Sequence, residues 1–310
     1  MMRHILLISL LCTTSLIYAQ DSLDKFKLND TVNSLYPAMA LKLACRYAVR
    51  KQNDSSFFYI NEFTRVMDKV DRKGSLLMIL TSPELNANLM DKRWDTMREG
   101  MAKELKTYYG PEFNAPLFIK LQVYETEDQN ARWATFSWKN KLAKHAGVID
   151  TLNIKHLHFI DSLLEANIKL SRKLIGKEGM YSVSLFIQHG YDKVKHKSYL
   201  EQMKKWFEEG EIDGGEYALY IDRVRTNENK PQIYGSQYWI DEKANQLVLY
   251  RLESVADVNK LRKQAGMKSI QYYLLNVEFL EKKKFRRESV EGLLKGNESM
   301  QDYISKEMNK

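Results

Sequence analysis

Apolar side chains recur every three or four residues through most of this chain, which predicts a mainly α protein. Residues 38–51 and 55–71 read as two antiparallel helices, with Asn53-Asp54-Ser55 supplying the turn and cap between them. The second carries an apolar stripe of Phe58, Phe63, Val66, Met67 and Val70. Ser82-Pro83-Glu84 opens another helix, and residues 92–108 form the next. Tyr108-Tyr109-Gly110-Pro111 and Pro116 then break the pattern. Beyond that break the spacing predicts a helix over 117–145 closed by Gly147, and one from Asp150 or Thr151 toward Gly176. Further helices are predicted over 180–189, ending at Gly190, over 198–209, ending at Gly210, and over 213–225. Glycine at these ends fits left-handed caps.

The period then changes. Tyr238-Trp239-Ile240 and Leu247-Val248-Leu249-Tyr250 flank a polar turn and predict one small β-hairpin. Helical spacing returns over 255–264 and 272–287, and residues 289–310 read as a frayed tail. The expected architecture is a helical-repeat-like segment over 20–110, followed by a helical domain with one hairpin over 117–288.

Composition changes this picture mainly at the N-terminus. Arg3 and His4 precede an apolar run from Ile5 to Leu11, and Leu16-Ile17-Tyr18-Ala19 leads to Gln20. That is the pattern of a cleaved secretory signal over 1–19, too short for a membrane anchor. Leu11 is bulky where a lipobox needs a small residue, so lipidation at Cys12 is not expected. A chain starting at Gln20 keeps one cysteine, Cys45, and must be held by packing rather than by a disulfide. Cys45 lies in Leu41-Lys42-Leu43-Ala44-Cys45, where a small buried hydrophobe is the expected role. No later run is long and uncharged enough to span a membrane. The formal charge is +8. It suits an anionic envelope surface, and export makes nucleic acid a poor partner. The densest basic run, Lys282-Lys283-Lys284-Phe285-Arg286-Arg287, lies between Glu281 and Glu288 and reads as a solvated helix end, with a docking patch as the alternative.

Residues 36–100 resemble the degenerate tetratricopeptide-like segments of exported Bacteroidota proteins. The matching stretches are Ala44-Cys45-Arg46-Tyr47-Ala48, Phe58-Tyr59-Ile60 and Leu89-Met90-Asp91-Lys92-Arg93-Trp94. The resemblance implies helix pairs that bury their stripes against neighbours, with Trp94 in the core and Arg93 packed beside it.

Five polar motifs fall in the expected second domain: Asp128-Gln129 with Arg132, Asp150 with Asn153, Gln188-His189, Asp222-Arg223, and Pro231-Gln232-Ile233-Tyr234-Gly235-Ser236-Gln237. In this order and spacing, over residues 120–275, they resemble the bacterial family called domain of unknown function 6624. The resemblance implies a shared fold and polar site but no known chemistry. Two features depart from the family pattern. Ser236 stands where the family usually has threonine, and 165–170 lacks its Gly-x-Pro turn.

Taken as residues, Asp222 and Arg223 point about 100° apart on a helix and cannot pair with each other. One of them must sit at the edge of a buried face and needs a partner. His189 closes an apolar helix, where the dipole favours positive charge. His189 with Asp222 has the ingredients of a general-base pair, and equally of a buried network that ties helices to a loop. Around it Gln188, Arg223, Gln232, Tyr234 and Gln237 form either the rim that grips a small polar ligand or the pins that hold a loop. No cofactor or metal is expected. His156 and His158 diverge on their helix, and no phosphate loop, dinucleotide fingerprint or nucleophile elbow occurs. The composite expectation is an exported envelope binding or interaction protein; the alternative is a hydrolase or transferase based on His189 and Asp222.

Overall fold

The computed structural model describes residues 36–88, 91–137, 142–190 and 198–294. The expected signal over 1–19, Leu89-Met90 and residues 295–310 lie outside the described residues. The helices are α1 (Tyr36–Val49), α2 (Asn53–Met67), α3 (Arg72–Leu80), α4 (Pro83–Asn88), α5 (Lys92–Tyr109), α6 (Ala115–Ser137), α7 (Leu142–Glu165) and α8 (Arg172–His189). After them come α9 (Leu200–Glu208), α10 (Gly214–Asn227), the strands β1 (Tyr238–Asp241) and β2 (Gln246–Leu249), α11 (Val258–Gln264) and α12 (Ile270–Glu281). The protein is therefore mainly α with one small antiparallel hairpin. It divides into two compact units: residues 1–152 with 169–179, and residues 153–168 with 180–310.

In the first unit α1 buries Ala40, Ala44 and Ala48, one small residue per turn. That stripe lets α2 approach closely, and Ser56 Oγ donates to the Ala44 carbonyl at 2.8 Å. The buried side of α2 is Ser56, Phe57, Ile60 and Phe63. The expected stripe is thus out of phase in part: Phe58 and Val70 are exposed, and Val70 lies beyond the helix end. The helix starts at Asn53 rather than after it, following Lys51 at φ 59°. Sequence spacing missed α3, because Asp71 reads as the tail of the preceding helix. Asp71 instead caps α3 by accepting from Gly74 N at 2.8 Å.

Trp94 is 1% exposed, in the core as expected. Arg93 packs over the Phe57 ring and pairs with Asp54 and Asp91, so it sits at the surface. Cys45 is only partly buried, its Sγ 3.2 Å from Ser82 Oγ. Tyr109, Phe113 and Phe118 stack in series behind α5. Gly176 breaks α8 at φ 70°, and a Cβ there would meet the Tyr109 ring at 2.6 Å.

Several predicted ends move. Gly147 lies inside α7 and is not a cap, and α7 stops at Glu165, where Asn167 turns the chain at φ 56°. Gly190 does not adopt positive φ, and a Cβ there would meet a Leu157 methyl at 2.9 Å. Gly210 does end its helix left-handed, at φ 75°.

In the second unit the hairpin pairs Tyr238 with Leu249 and Ile240 with Leu247. Asp241 accepts from Lys243 N and Ala244 N, both at 3.1 Å, and Asn245 takes φ 53° to close the turn. Leu247 also exchanges backbone bonds with Lys284 and Arg286. That draws 284–286 out of the expected helix, and α12 ends at Glu281 with Lys282 left-handed. Leu247, Leu249, Val258, Ile270, Leu274, Val277 and Phe285 form one core cluster of this unit, joined by Val290 and Leu293. The expected frayed tail therefore does not begin at 289: a 3-10 turn over Arg287–Val290 and the buried Leu293 anchor the chain that far.

Burial raises the pKa of the Tyr109, Tyr199, Tyr220, Tyr238 and Tyr273 phenols above 10.0. Tyr273 is pushed up to about 12, by burial first and also by the Asp222 charge, with Arg262 opposing. For Tyr109 and Tyr238 a carboxylate adds to the effect, Glu178 and Glu281 respectively. The unfolded chain then releases these protons at a lower pH than the folded one. Their contribution to stability is intact below about pH 10 and falls as pH rises above it. An alkaline titration should show tyrosinate absorbance from these residues rising together with loss of helical circular dichroism. Full ionisation with the helical signal intact would contradict that.

Candidate functional site

The centre of the second unit is the Asp222 carboxylate, which is 0% exposed. Asp222 lies in α10, and its side chain meets the irregular loop 231–237. Oδ1 accepts from Ile233 N at 2.7 Å and Tyr234 N at 3.0 Å. Oδ2 accepts from Ser236 N and Ser236 Oγ, both at 2.9 Å. Three loop amides and one hydroxyl thus converge on one anion, in the manner of a backbone nest. Proline at 231 removes one donor from the loop, and Gly235 at φ 70° supplies the bend that turns the amides inward. A Cβ on Gly235 would meet Ile270 Cδ1 at 2.6 Å, so the glycine is also required by packing. Ser236 supplies the hydroxyl that makes this contact.

The rest of the loop is pinned in the same way. Gln232 is 0% exposed; its Nε2 donates to the Tyr250 carbonyl at 2.7 Å and the Gln237 carbonyl at 3.1 Å, and its Oε1 accepts from Gln237 N at 2.8 Å. It joins the loop to the segment that follows the hairpin. Gln237 Nε2 donates to the Leu219 carbonyl at 3.2 Å, tying the loop back to α10. On the far side, Arg262 in α11 donates to the Tyr234 carbonyl at 2.6 Å and the Lys268 carbonyl at 2.7 Å. Tyr273 OH donates to the Ser236 carbonyl at 2.7 Å, and its ring lies under the Arg262 guanidinium. Burial pulls the Arg262 pKa down to about 10, while Tyr273 and Asp222 oppose the shift. The guanidinium stays charged near neutral pH.

Of the residues singled out from sequence, Asp222, Gln232, Gln237 and the Tyr234 backbone come together in this one network. Arg223, next to Asp222, points elsewhere as the helical offset requires. Its Nη1 donates to the Gln188 carbonyl at 2.7 Å, and its Nε reaches Gln237 Oε1 at 3.4 Å. Gln188 is buried and donates to the Glu216 carbonyl at 3.3 Å. His189 is half-buried at the end of α8. Every hydrogen bond of the Asp222 side chain goes to the loop, so its carboxylate is not placed as the orienting partner of His189. Asp128 is buried and bonded by Arg132 one helical turn on, within the first unit.

Sequence reasoning does not single out Arg262 or Tyr273, and it notes Ser236 only as a departure from the family pattern. All three complete the network. Arg262 sits in Lys260-Leu261-Arg262-Lys263, which reads as a solvated basic run; its spacing of four from the buried Val258 was the available signal. Among the described residues no group of three or more His, Cys, Asp or Glu side chains is placed to hold a metal ion.

An aromatic row lies partly open to solvent beside the loop. The Tyr234 ring is half-buried and lies edge-on to Tyr217 at 6.5 Å, and Tyr217 stacks on Phe207 at 4.7 Å. Burial raises the pKa of both phenols, which therefore stay neutral donors at ordinary pH.

Fold and site define a helical domain whose irregular loop is fastened around a buried carboxylate. Residues 120–284 match the family of unknown function DUF6624, and the chain belongs to that family. No curated protein and no solved structure matches the chain.

Replacing Asp222 with asparagine keeps the size but turns an amide toward loop N–H groups that need an acceptor. Asp222→Asn should destabilise the protein by about 3 kcal/mol in a denaturant titration. Gly235→Ala should also be destabilising, by about 2 kcal/mol, from its positive φ and its overlap with Ile270. An Asp222→Asn protein as stable as the parent would mean that the carboxylate does not organise the loop.

Proposed function

We propose that this is an exported envelope protein that binds a small polar ligand or a partner protein, and that its polar cluster is a structural lock rather than a reaction centre. The observation that carries this reading is the saturation of the Asp222 carboxylate by loop donors within its own fold. A carboxylate that must orient a catalytic imidazole needs an oxygen for it, and both oxygens are occupied here. Gln232 and Gln237 are likewise committed to backbone partners. The lock fixes the backbone of Tyr234 on both sides, through its N–H and its carbonyl, while leaving the ring beside Tyr217 and Phe207. A rigid, half-exposed aromatic row with neutral phenol donors suits stacking and hydrogen bonding to a polar ligand.

Export is supported by the basic, apolar and small-residue order of positions 3–19. The helix pairs of the first unit serve in this reading as a scaffold of tetratricopeptide-like type. No helix among the described residues is long and apolar enough to cross a membrane.

The test separates Tyr234 from His189. In a thermal-shift screen against polar metabolites and oligosaccharides, a ligand that raises the Tm of the parent should lose its effect on Tyr234→Ala. The unliganded Tm of that variant should stay within about 3 °C of the parent. His189→Ala should retain the ligand shift. A hydrolytic or transfer activity that disappears in His189→Ala while the fold persists would overturn the lock and support the enzyme.

A further inference from the structure

α12 fills its buried face with Ile270, Leu274, Leu275 and Val277, and then presents two large apolar side chains outward. Phe279 is 71% exposed and Leu280 is 66% exposed. They are adjacent at the end of the helix, so no face of their own element covers them. The chain then turns through Lys282 at φ 53°, which brings Lys282, Lys283 and Lys284 round to the same place. Phe279, Leu280, the three lysines and Glu278 line one open groove. Its single acidic member is turned inward: the Glu278 side chain is 9% exposed, bonded by Lys284 Nζ at 2.7 Å and by Phe285 N at 2.9 Å. Lys283 reaches Asn245 in the hairpin turn, and Lys282 is exposed. A few residues on, Arg287 and Glu288 are both exposed.

We infer that this corner of the second unit docks on an anionic lipid surface, with Phe279 and Leu280 entering the headgroup boundary and the lysines contacting lipid phosphates. The combination is what such a surface selects: a small apolar protrusion, which gains from entering the acyl boundary, ringed by cations on flexible stems, which gain from negative surface charge. Lysine stems can lie along the apolar pair while the ammonium groups reach outward. A protein partner is the poorer fit, because a stable protein interface buries about 800 Å² on each side and this protrusion is two residues wide. The inference is independent of the binding reading at Tyr234 and needs neither the lock nor a ligand.

Vesicle co-sedimentation tests it, using the chain that begins at Gln20 and so keeps every described residue. The parent should bind vesicles of phosphatidylglycerol mixed into phosphatidylcholine, less so as salt is raised, and should not bind phosphatidylcholine alone. Lys282→Gln/Lys283→Gln/Lys284→Gln removes three charges and should weaken binding on the order of 100-fold. Phe279→Ser/Leu280→Ser should weaken it about ten-fold or more, and arginine at all three lysine positions should restore it. The substituted side chains are at the surface, and circular dichroism would verify an unchanged fold. Parent protein that ignores anionic vesicles, or binds them equally well after either substitution set, would overturn the inference. So would loss only in the glutamine variant, since that describes diffuse attraction without insertion.

Discussion

The second unit depends on one exchange between a buried charge and an irregular loop. A carboxylate taken out of water needs several donors to replace its hydration. A loop without helix or sheet partners has amides in need of acceptors. Asp222 and the amides of Ile233, Tyr234 and Ser236 meet both needs at once. Neither side would be stable in place alone, and the rest of the network assumes that this contact is made.

The network also balances its charges through the backbone. Arg262 and Asp222 are both buried, and both bond to Tyr234: the anion at its N–H, the cation at its carbonyl. The peptide groups of the loop therefore lie with their dipoles between two opposite charges, an arrangement that favours both. Tyr273 donates to the Ser236 carbonyl and Gln232 to the Gln237 carbonyl. The result is a loop whose backbone is fastened on both sides of Tyr234, with the ring half-buried beside Tyr217.

The first unit is organised by size rather than by charge. Alanines at 40, 44 and 48 let two helices approach, and the large side chains of Phe63, Trp94, Phe113 and Phe118 fill the space that the remaining helices enclose. Its exposed polar groups form pairs along the surface, such as Arg72 with Asp68 and Glu104. Pairs of that kind add little in water.

The mainly α class, the single hairpin and the position of the polar loop all follow from local pattern. Helical period, turn residues and a proline-glycine loop act over a few residues, and the sequence displays them directly. Helix phase was less legible: Phe57 and Phe58 are both apolar, and only the alanine stripe across from them selects Phe57 for the core. The ends of α7 and α12 were also hidden, since Asn167 and Lys282 do not announce a left-handed turn. Gly147 and Gly190, which looked like caps, show that a glycine in the sequence need not mark a left-handed turn. For the site, sequence identified Asp222, Gln232 and Gln237 as polar residues that need partners. Which partner each one took was decided by tertiary structure. Hydrogen bonds depend on distances of a few tenths of an ångström between groups far apart in the chain, and only the packed fold sets those distances.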